Sequence, residues 1–364
     1  MANTYEYNFP AIRGIQAGRE YYVAMCPLKL IPKIFLFDEE ELELTPELRA
    51  QRILNRARVP EMSRYITNNQ SDYVFSAITA SIDGEVEFCA INDKSGRSLN
   101  GLLKINMDAK FIINDGQHRR AAIEMAIKEE PKLGDESIAV VFFVDKGLSR
   151  SQQMFADLNR HAIRPSRSLG LLYDHRNDMS QIAKLVVLKS SAFKGLVEME
   201  RSTLSERSRK LFTLSAIYSA CQALLDNSSV EDINAASEIC IAFWDAVFDY
   251  IPEWGLVKSG RLSAGEVRKD MIHSHAIALQ SLGIAGSQLL LEQPINWKES
   301  LSGLSNIDWS RSNAKLWEGR TLVAGRVSKT SSNVTLTSNL IKQRLGLTLS
   351  PEEKRLEDAY KRGQ

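Results

Sequence analysis

Apolar residues recur along the first half of this chain at two different spacings, and along the second half mainly at one. Runs with the texture of short strands stand at Tyr21 to Met25, Ile31 to Phe37, Tyr73 to Ala80, Val86 to Ile91, Leu102 to Ile105, Lys110 to Ile113 and Ile138 to Val144. The last is rich in the β-branched and aromatic side chains that fill buried strands. Pro27 separates the first two runs, or interrupts one longer strand. Asp83-Gly84 between the third and fourth is a strong hairpin signal. The spacing turns helical over Pro46 to Ile66, interrupted at Pro60, with Arg49, Arg52, Arg56, Arg58 and Arg64 on polar positions. It turns helical again over Arg119 to Glu130, closed by Pro131. A further helix is expected over Ser149 to Asn159, where Ser149 as N-cap and Gln152 three residues later make a capping box.

Beyond Ser168 the texture changes. Met179 to Phe193, Leu204 to Leu225, Val230 to Tyr250, Ser263 to Leu282 and Ser350 to Tyr360 all carry helical periodicity, and strand candidates are few. Trp309 to Asn339, rich in Ser, Asn, Thr, Gly and Arg, reads as a long loop or small irregular subdomain. No repeat of fixed period is visible. The expected architecture is α+β: a mixed α/β domain over residues 1–170 and a mostly helical one over 171–364, irregular near 309–339.

At 364 residues the chain is long enough for two such domains. Its formal net charge of +1 supplies no global attraction to nucleic acid, but a neutral total can hide one basic face. Cys26, Cys89, Cys221 and Cys240 are far apart with no CxxC pair, which argues against a disulfide framework and a structural zinc site. His273 and His275 do not share a helix face, and Asp108, Asp115 and Asp135 have no recognisable metal spacing, so no metal site is expected. No apolar run has the length of a membrane span, and the polar, aromatic start lacks the order of a signal peptide. A cytoplasmic protein with no membrane partner is the expectation.

The densest chemistry lies in Asp115-Gly116-Gln117-His118-Arg119-Arg120. A buried strand, Phe111-Ile112-Ile113, delivers Asn114 and Asp115 to its carboxyl end; Gly116 allows a positive-φ turn; the next helix then exposes unpaired N–H groups. Such a terminus suits a phosphate, and Gln117, His118, Arg119 and Arg120 crowd it with donors and positive charge. An arginine can grip a phosphate through two bonds, while His118 can exchange a proton near neutral pH. The plainer reading is an Asp115 helix cap with solvent-facing arginines; adjacent Arg119 and Arg120 cannot both belong to one simple outer face.

Ile113-Asn114-Asp115-Gly116-Gln117-His118-Arg119, extended by Ala121-Ala122-Ile123 and by Phe155 to Ala162, resembles the motif of the DGQHR-domain proteins, distant relatives of the ParB/Srx-like fold. Among these the chain is most similar to the DndB family of DNA phosphorothioation, or DNA sulfur modification, systems, over nearly its whole length. The resemblance implies a ParB/Srx-like first domain and a DNA-binding regulator that represses its own modification operon. Its implied partners are double-stranded DNA, including the operon promoter, other DNA sulfur-modification proteins, and a second copy of itself. The alternatives are a nucleotide-hydrolysing, ATPase-like component of the modification machinery and a non-enzymatic scaffold for it. In the hydrolytic reading Asp115, His118 and Arg119 are catalytic and the cofactor is ATP or another nucleoside triphosphate with Mg²⁺. The sequence has no Walker run, and no helix-turn-helix follows the motif directly, so DNA contacts must be sought elsewhere.

Asn159, Arg160 and Arg164 join Gly116, Gln117 and Arg120 as candidate phosphate or nucleotide contacts; the rival reading is a solvated linker. Arg207, Arg209 and Lys210, beside Arg201 but interrupted by Glu198, Glu200 and Glu206, are candidate DNA-backbone contacts. Arg320, Arg326 and Lys329 lie among Gly, Ser and Thr and would form a DNA-contacting loop. Cys26 matches the place of a cysteine linked to DNA binding in the resembled family; otherwise it is a small buried hydrophobe.

Overall fold

The computed structural model describes residues 5–35, 56–91, 98–146, 150–160, 165–291 and 295–363. The chain divides into two compact units, Met1–Ile163 and Arg164–Gln364. Seven strands in one sheet, together with many helices, make the fold α+β.

In the first unit the strands are β1 (Glu6–Gln16), β2 (Arg19–Pro27), β3 (Ile78–Asp83), β4 (Val86–Ala90), β5 (Asn100–Asn106), β6 (Lys110–Asp115) and β7 (Ser137–Val144). Their order is β4-β5-β1-β2-β7-β3-β6, and only the β3–β7 pair is parallel. Hydrophobic spacing does not predict the first strand, because its polar residues break the apolar run; pairing with β2 and β5 nevertheless buries Phe9 and Ala11. Ile31–Ile34 is a helical turn, α1, rather than a strand, with Pro32 near its start, where a missing N–H costs no bond. Pro60 likewise opens the helix α2 (Val59–Asn68) instead of interrupting one.

Asp83-Gly84 does not make the expected hairpin. β3 pairs with β6 and β7, and β4 pairs with β5, so this turn joins the first strand of the order to the last but one. The short link Met107–Ala109 joins the second, β5, to the last, β6. Links this short require the sheet to curl until its ends approach, and Tyr7 on β1 meets Phe111 on β6 with ring centroids 6.1 Å apart. Phe9, Phe35, Phe111 and Phe142 fill the interior of the curl. Helix α3 (Gln117–Glu129) buries Ala122, Ile123 and Ala126 and packs beside α2. Helix α4 (Ser151–Arg160) follows; the Ser149–Gln152 capping box falls outside the described residues and side chains.

The second unit contains α5 (Arg167–Tyr173), α6 (Asp178–Lys189), α7 (Leu214–Leu225), α8 (Ile233–Asp249), α9 (Pro252–Lys258), α10 (Ala264–Asp270), α11 (Ala276–Leu289), α12 (Trp297–Ser300), α13 (Ala314–Trp317), α14 (Ser331–Arg344) and α15 (Pro351–Arg362). Its core gathers Phe193, Phe212, Phe243, Trp244, Trp254 and Trp317, all of them fully buried. Helix α11 packs against both α7 and α14. A Cβ at Gly283 would lie 2.3 Å from the Ala220 carbonyl oxygen, so only glycine allows the α7–α11 approach.

Three expectations change here. The helix expected from Leu204 starts only at Leu214, because residues 204–211 form a loop. The helix expected over Ser263 to Leu282 is two, parted at Met271–His275. The segment expected to be irregular carries a two-strand ribbon (Leu322–Val323 with Arg326–Val327) and then α14, whose Thr337, Ser338 and Asn339 are buried. Polar side chains that bond backbone can line a buried helix without apolar periodicity; Thr337 donates to the Asn333 carbonyl and Asn339 to that of Glu353.

Candidate functional site: the DGQHR turn and a basic loop

Strand β6 ends at Asp115, and Gly116 turns with φ +114°, a conformation that side chains rarely adopt. A Cβ there would also sit 3.0 Å from Ile78 and 3.1 Å from the Arg119 guanidinium. Gly116 is the N-cap of α3, so no side chain caps the helix, and the first turn holds no acidic residue. Its leading N–H groups therefore keep the partial positive charge that favours an anion.

The side chains around this turn are held from within the unit. Asn114 is fully buried: it donates to Ser81 on β3 at 2.7 Å and accepts from Ser151 on α4 at 2.6 Å. It ties the end of β6 to β3 and to α4, a role that its place beside the motif does not reveal. Gln117 donates back to the Ile113 carbonyl at 2.9 Å. Arg119 donates to Asp115 at 2.7 Å and to the Ala77 carbonyl at 3.0 Å. The two expected catalytic charges thus largely neutralise one another, and Arg119 works first as a brace between β6 and the chain before β3.

Arg120 points the other way, into the protein. It donates to the Phe35 carbonyl at 2.9 Å, to Glu124 at 2.6 Å and to the Pro32 carbonyl at 3.4 Å, with only 7% of its surface exposed. The expected phosphate contact is a structural tie from α3 to the end of α1. The imidazole of His118 is different. Burial first, then the guanidinium groups of Arg58 and Arg119, hold its pKa below the ordinary range, against an upward pull from Asp115. Arg58, just before α2, is a cationic neighbour that lies far from the motif in sequence. Asn159 and Arg160 end α4 with side chains outside the described set, and Arg164 lies outside the described residues.

Cys26 has no exposed surface; burial alone pushes its thiol up to about 12. This is the burial expected of a small hydrophobe, and it keeps the sulfur off the surface. Arg320 is also held inside. It is buried against Glu357 through paired bonds of 2.8 Å, and stands 4.3 Å from the Tyr360 ring centroid. Arg326 is exposed on the ribbon, and Lys329 beyond it is exposed as well, its pKa drawn down by desolvation and then by Arg167.

The loop before the short strand Phe212–Thr213 leaves its cations outward. Arg201, Arg207 and Arg209 are exposed. Lys210 is half-buried and donates to the Gly195 carbonyl at 2.7 Å. Arg268 on α10 holds this loop from behind, donating to the carbonyls of Ser205 (2.7 Å), Glu206 (3.2 Å), Ser208 (3.1 Å) and Lys210. Sequence reasoning missed Arg268, which no local pattern links to residues some sixty positions earlier. Its clamp fixes the backbone that presents Arg207 and Arg209.

The family model described as DndB, DNA-sulfur modification-associated, matches residues 9–348 of the chain. The match spans both units. No curated protein and no solved structure matches the chain. Among the described residues no helix is long and apolar enough to cross a membrane.

Proposed function

The chain belongs to the DndB family of DNA sulfur modification proteins, and from that premise we propose that it is a DNA-binding regulator that represses its own modification operon. The Arg268-clamped loop carries this reading. Two exposed arginines on a backbone held by four carbonyl contacts can meet phosphates without first ordering the loop. Arg201 and, on the ribbon, Arg326 extend the same chemistry; Cys26, Arg320 and the tethered Lys210 are set aside. The first unit, with its curled mixed sheet and glycine turn, supports the ParB/Srx-like reading.

The test is binding to a fragment of the operon promoter, and to unrelated DNA, over a range of salt concentrations. Each phosphate neutralised by a side chain contributes about 0.9 to the slope of log K against log salt. Arg207→Ala/Arg209→Ala should therefore reduce the slope by about 2. It should weaken binding to both fragments alike, because bonds to the DNA backbone carry no base sequence. A folded double variant with unchanged affinity and slope removes the loop from DNA recognition.

A second reading, nucleotide binding and turnover at the DGQHR turn, is favoured by one observation. His118 is kept neutral beside Arg58 at an uncapped helix start, where a phosphate oxygen and a proton acceptor are both suited. Purified protein should be assayed for ATP, CTP and GTP binding and phosphate release, with and without Mg²⁺ and DNA. Hydrolysis abolished in a folded His118→Ala variant promotes the enzyme reading. No nucleotide response from the wild type, with DNA binding intact, ends it.

A further inference from the structure

A cavity of about 750 Å³ opens in the second unit behind the basic loop, within the range of small-molecule sites. Its lining includes the apolar side chains of Leu204, Leu211 and Phe212. It also includes Arg268, Lys269, His275 and Arg311, with the hydroxyl residues Ser202, Thr203 and Ser274. Neither DNA binding by the loop nor nucleotide turnover at the DGQHR turn uses this cavity as a binding surface.

Among the described residues its cations have no carboxylate at bonding distance. Arg268 donates only to loop carbonyls, and Arg311 to the Lys269 carbonyl at 3.4 Å and the Gly325 carbonyl at 2.7 Å. Among the described residues, two half-buried guanidinium groups thus have only carbonyl oxygens as hydrogen-bond partners. The lining carboxylates, Glu206 and Glu266, form no ion pair with them among the described residues. Glu266 accepts instead from the Ser263 N–H at 3.2 Å in a capping box. His275 Nε2 is buried with no hydrogen-bond partner among the described residues. Burial first, then Arg311, pushes this imidazole down to about 4, against an upward pull from a hydrogen bond to the Arg268 backbone. His275 is also the N-cap of α11, whose start has neither a side-chain cap nor an acidic residue. Partly buried cations call for a counter-charge, and here the described residues supply none at bonding distance.

We propose that this cavity binds a small phosphorylated ligand of mononucleotide size. The phosphoryl group lies against Arg311, Lys269 and the start of α11, and the planar base lies on the apolar part of the lining at Leu204. A cavity lined by both cations and apolar side chains matches a compact ligand with one charged and one flat end, more closely than it matches the smooth backbone of a duplex. This goes beyond the DNA-binding reading, which rests on the outward face of the neighbouring loop.

Calorimetric titration of the full chain with nucleoside monophosphates, nucleoside triphosphates and inorganic phosphate tests the proposal. At least one nucleotide should bind, and more tightly than inorganic phosphate. Arg311→Gln should weaken it by about tenfold or more, as expected when a charge-assisted hydrogen bond is removed. Lys269→Glu provides a second variant, because that side chain is exposed and its reversal leaves the core untouched. His118→Ala should leave binding at this cavity unchanged. Absence of nucleotide binding by the wild type overturns the proposal. So does binding abolished in His118→Ala but kept in both cavity variants, or a cavity pair that impairs duplex binding alone. Promoter binding by Arg207→Ala/Arg209→Ala fails or survives independently of each of these results.

Discussion

The DGQHR turn and the Ser205–Lys210 loop read alike in sequence, as short arginine-rich segments with a carboxylate close by, yet the fold treats their charges in opposite ways. In the turn, Arg119 is paired with Asp115 and Arg120 is drawn inward to Glu124 and two backbone carbonyls. In the loop, Arg207 and Arg209 stay exposed, while an arginine from another helix holds the backbone in place. The contrast teaches that cationic composition counts charges and not free charges. An arginine satisfied by buried carbonyls stabilises its fold; one on a clamped loop remains available to a partner.

The sharpest way to break the contrast is to remove the inward arginine. Arg120→Ala leaves the Phe35 carbonyl and one side of Glu124 without their donor, and should cost about 3–5 kcal/mol, as when one partner of a buried pair is deleted. Chemical denaturation followed by fluorescence measures this. A destabilisation below about 1 kcal/mol would return Arg120 to the surface class.

A smaller effect should appear with pH, behind the basic loop. The folded pKa of His275 is depressed to about 4, first by burial, so the unfolded chain binds its proton more readily. Its contribution is fully present above the unfolded value of about 6.5 and diminishes as pH falls toward the folded value. At pH 5 the decrease should be on the order of 2 kcal/mol relative to pH 7.5. Buried His273, depressed in the same direction, adds to the slope. Denaturation midpoints across this range, compared with His275→Gln, give the measurement; a variant with the wild-type slope assigns the effect elsewhere.

The smallest expected effect is in stability at the outward arginines. Arg207→Ala/Arg209→Ala should shift unfolding by no more than about 0.5 kcal/mol, the usual range for exposed substitutions. A large destabilisation would mean that these side chains hold the loop, and the contrast with the turn would fail.

Local patterns made much of the first unit legible. Strands β2, β5, β6 and β7 and helix α3 fall where hydrophobic spacing expects them, because each buries one face. Gly116 was readable as the turn for a related reason: a strand, a glycine and a helix leave few other geometries. The connectivity of Asp83-Gly84 was not readable, since a turn signal says that the chain reverses but not which strand it reverses toward. The polar helix α14 escaped because its buried hydroxyls and amides are satisfied by backbone, which composition cannot show.

The sequence by itself determined the family, through a motif whose residues are contiguous, and the α+β class, through two hydrophobic periods that local burial enforces. Only the tertiary structure decided which cations are free. The partners that hold Arg120 and Arg320 inside, the burial of Cys26, and the Arg268 clamp beneath Arg207 and Arg209 all come from residues that are distant along the chain or from burial itself. Burial and hydrogen bonding are set by what folding brings together, and one residue's neighbours in sequence carry little trace of that.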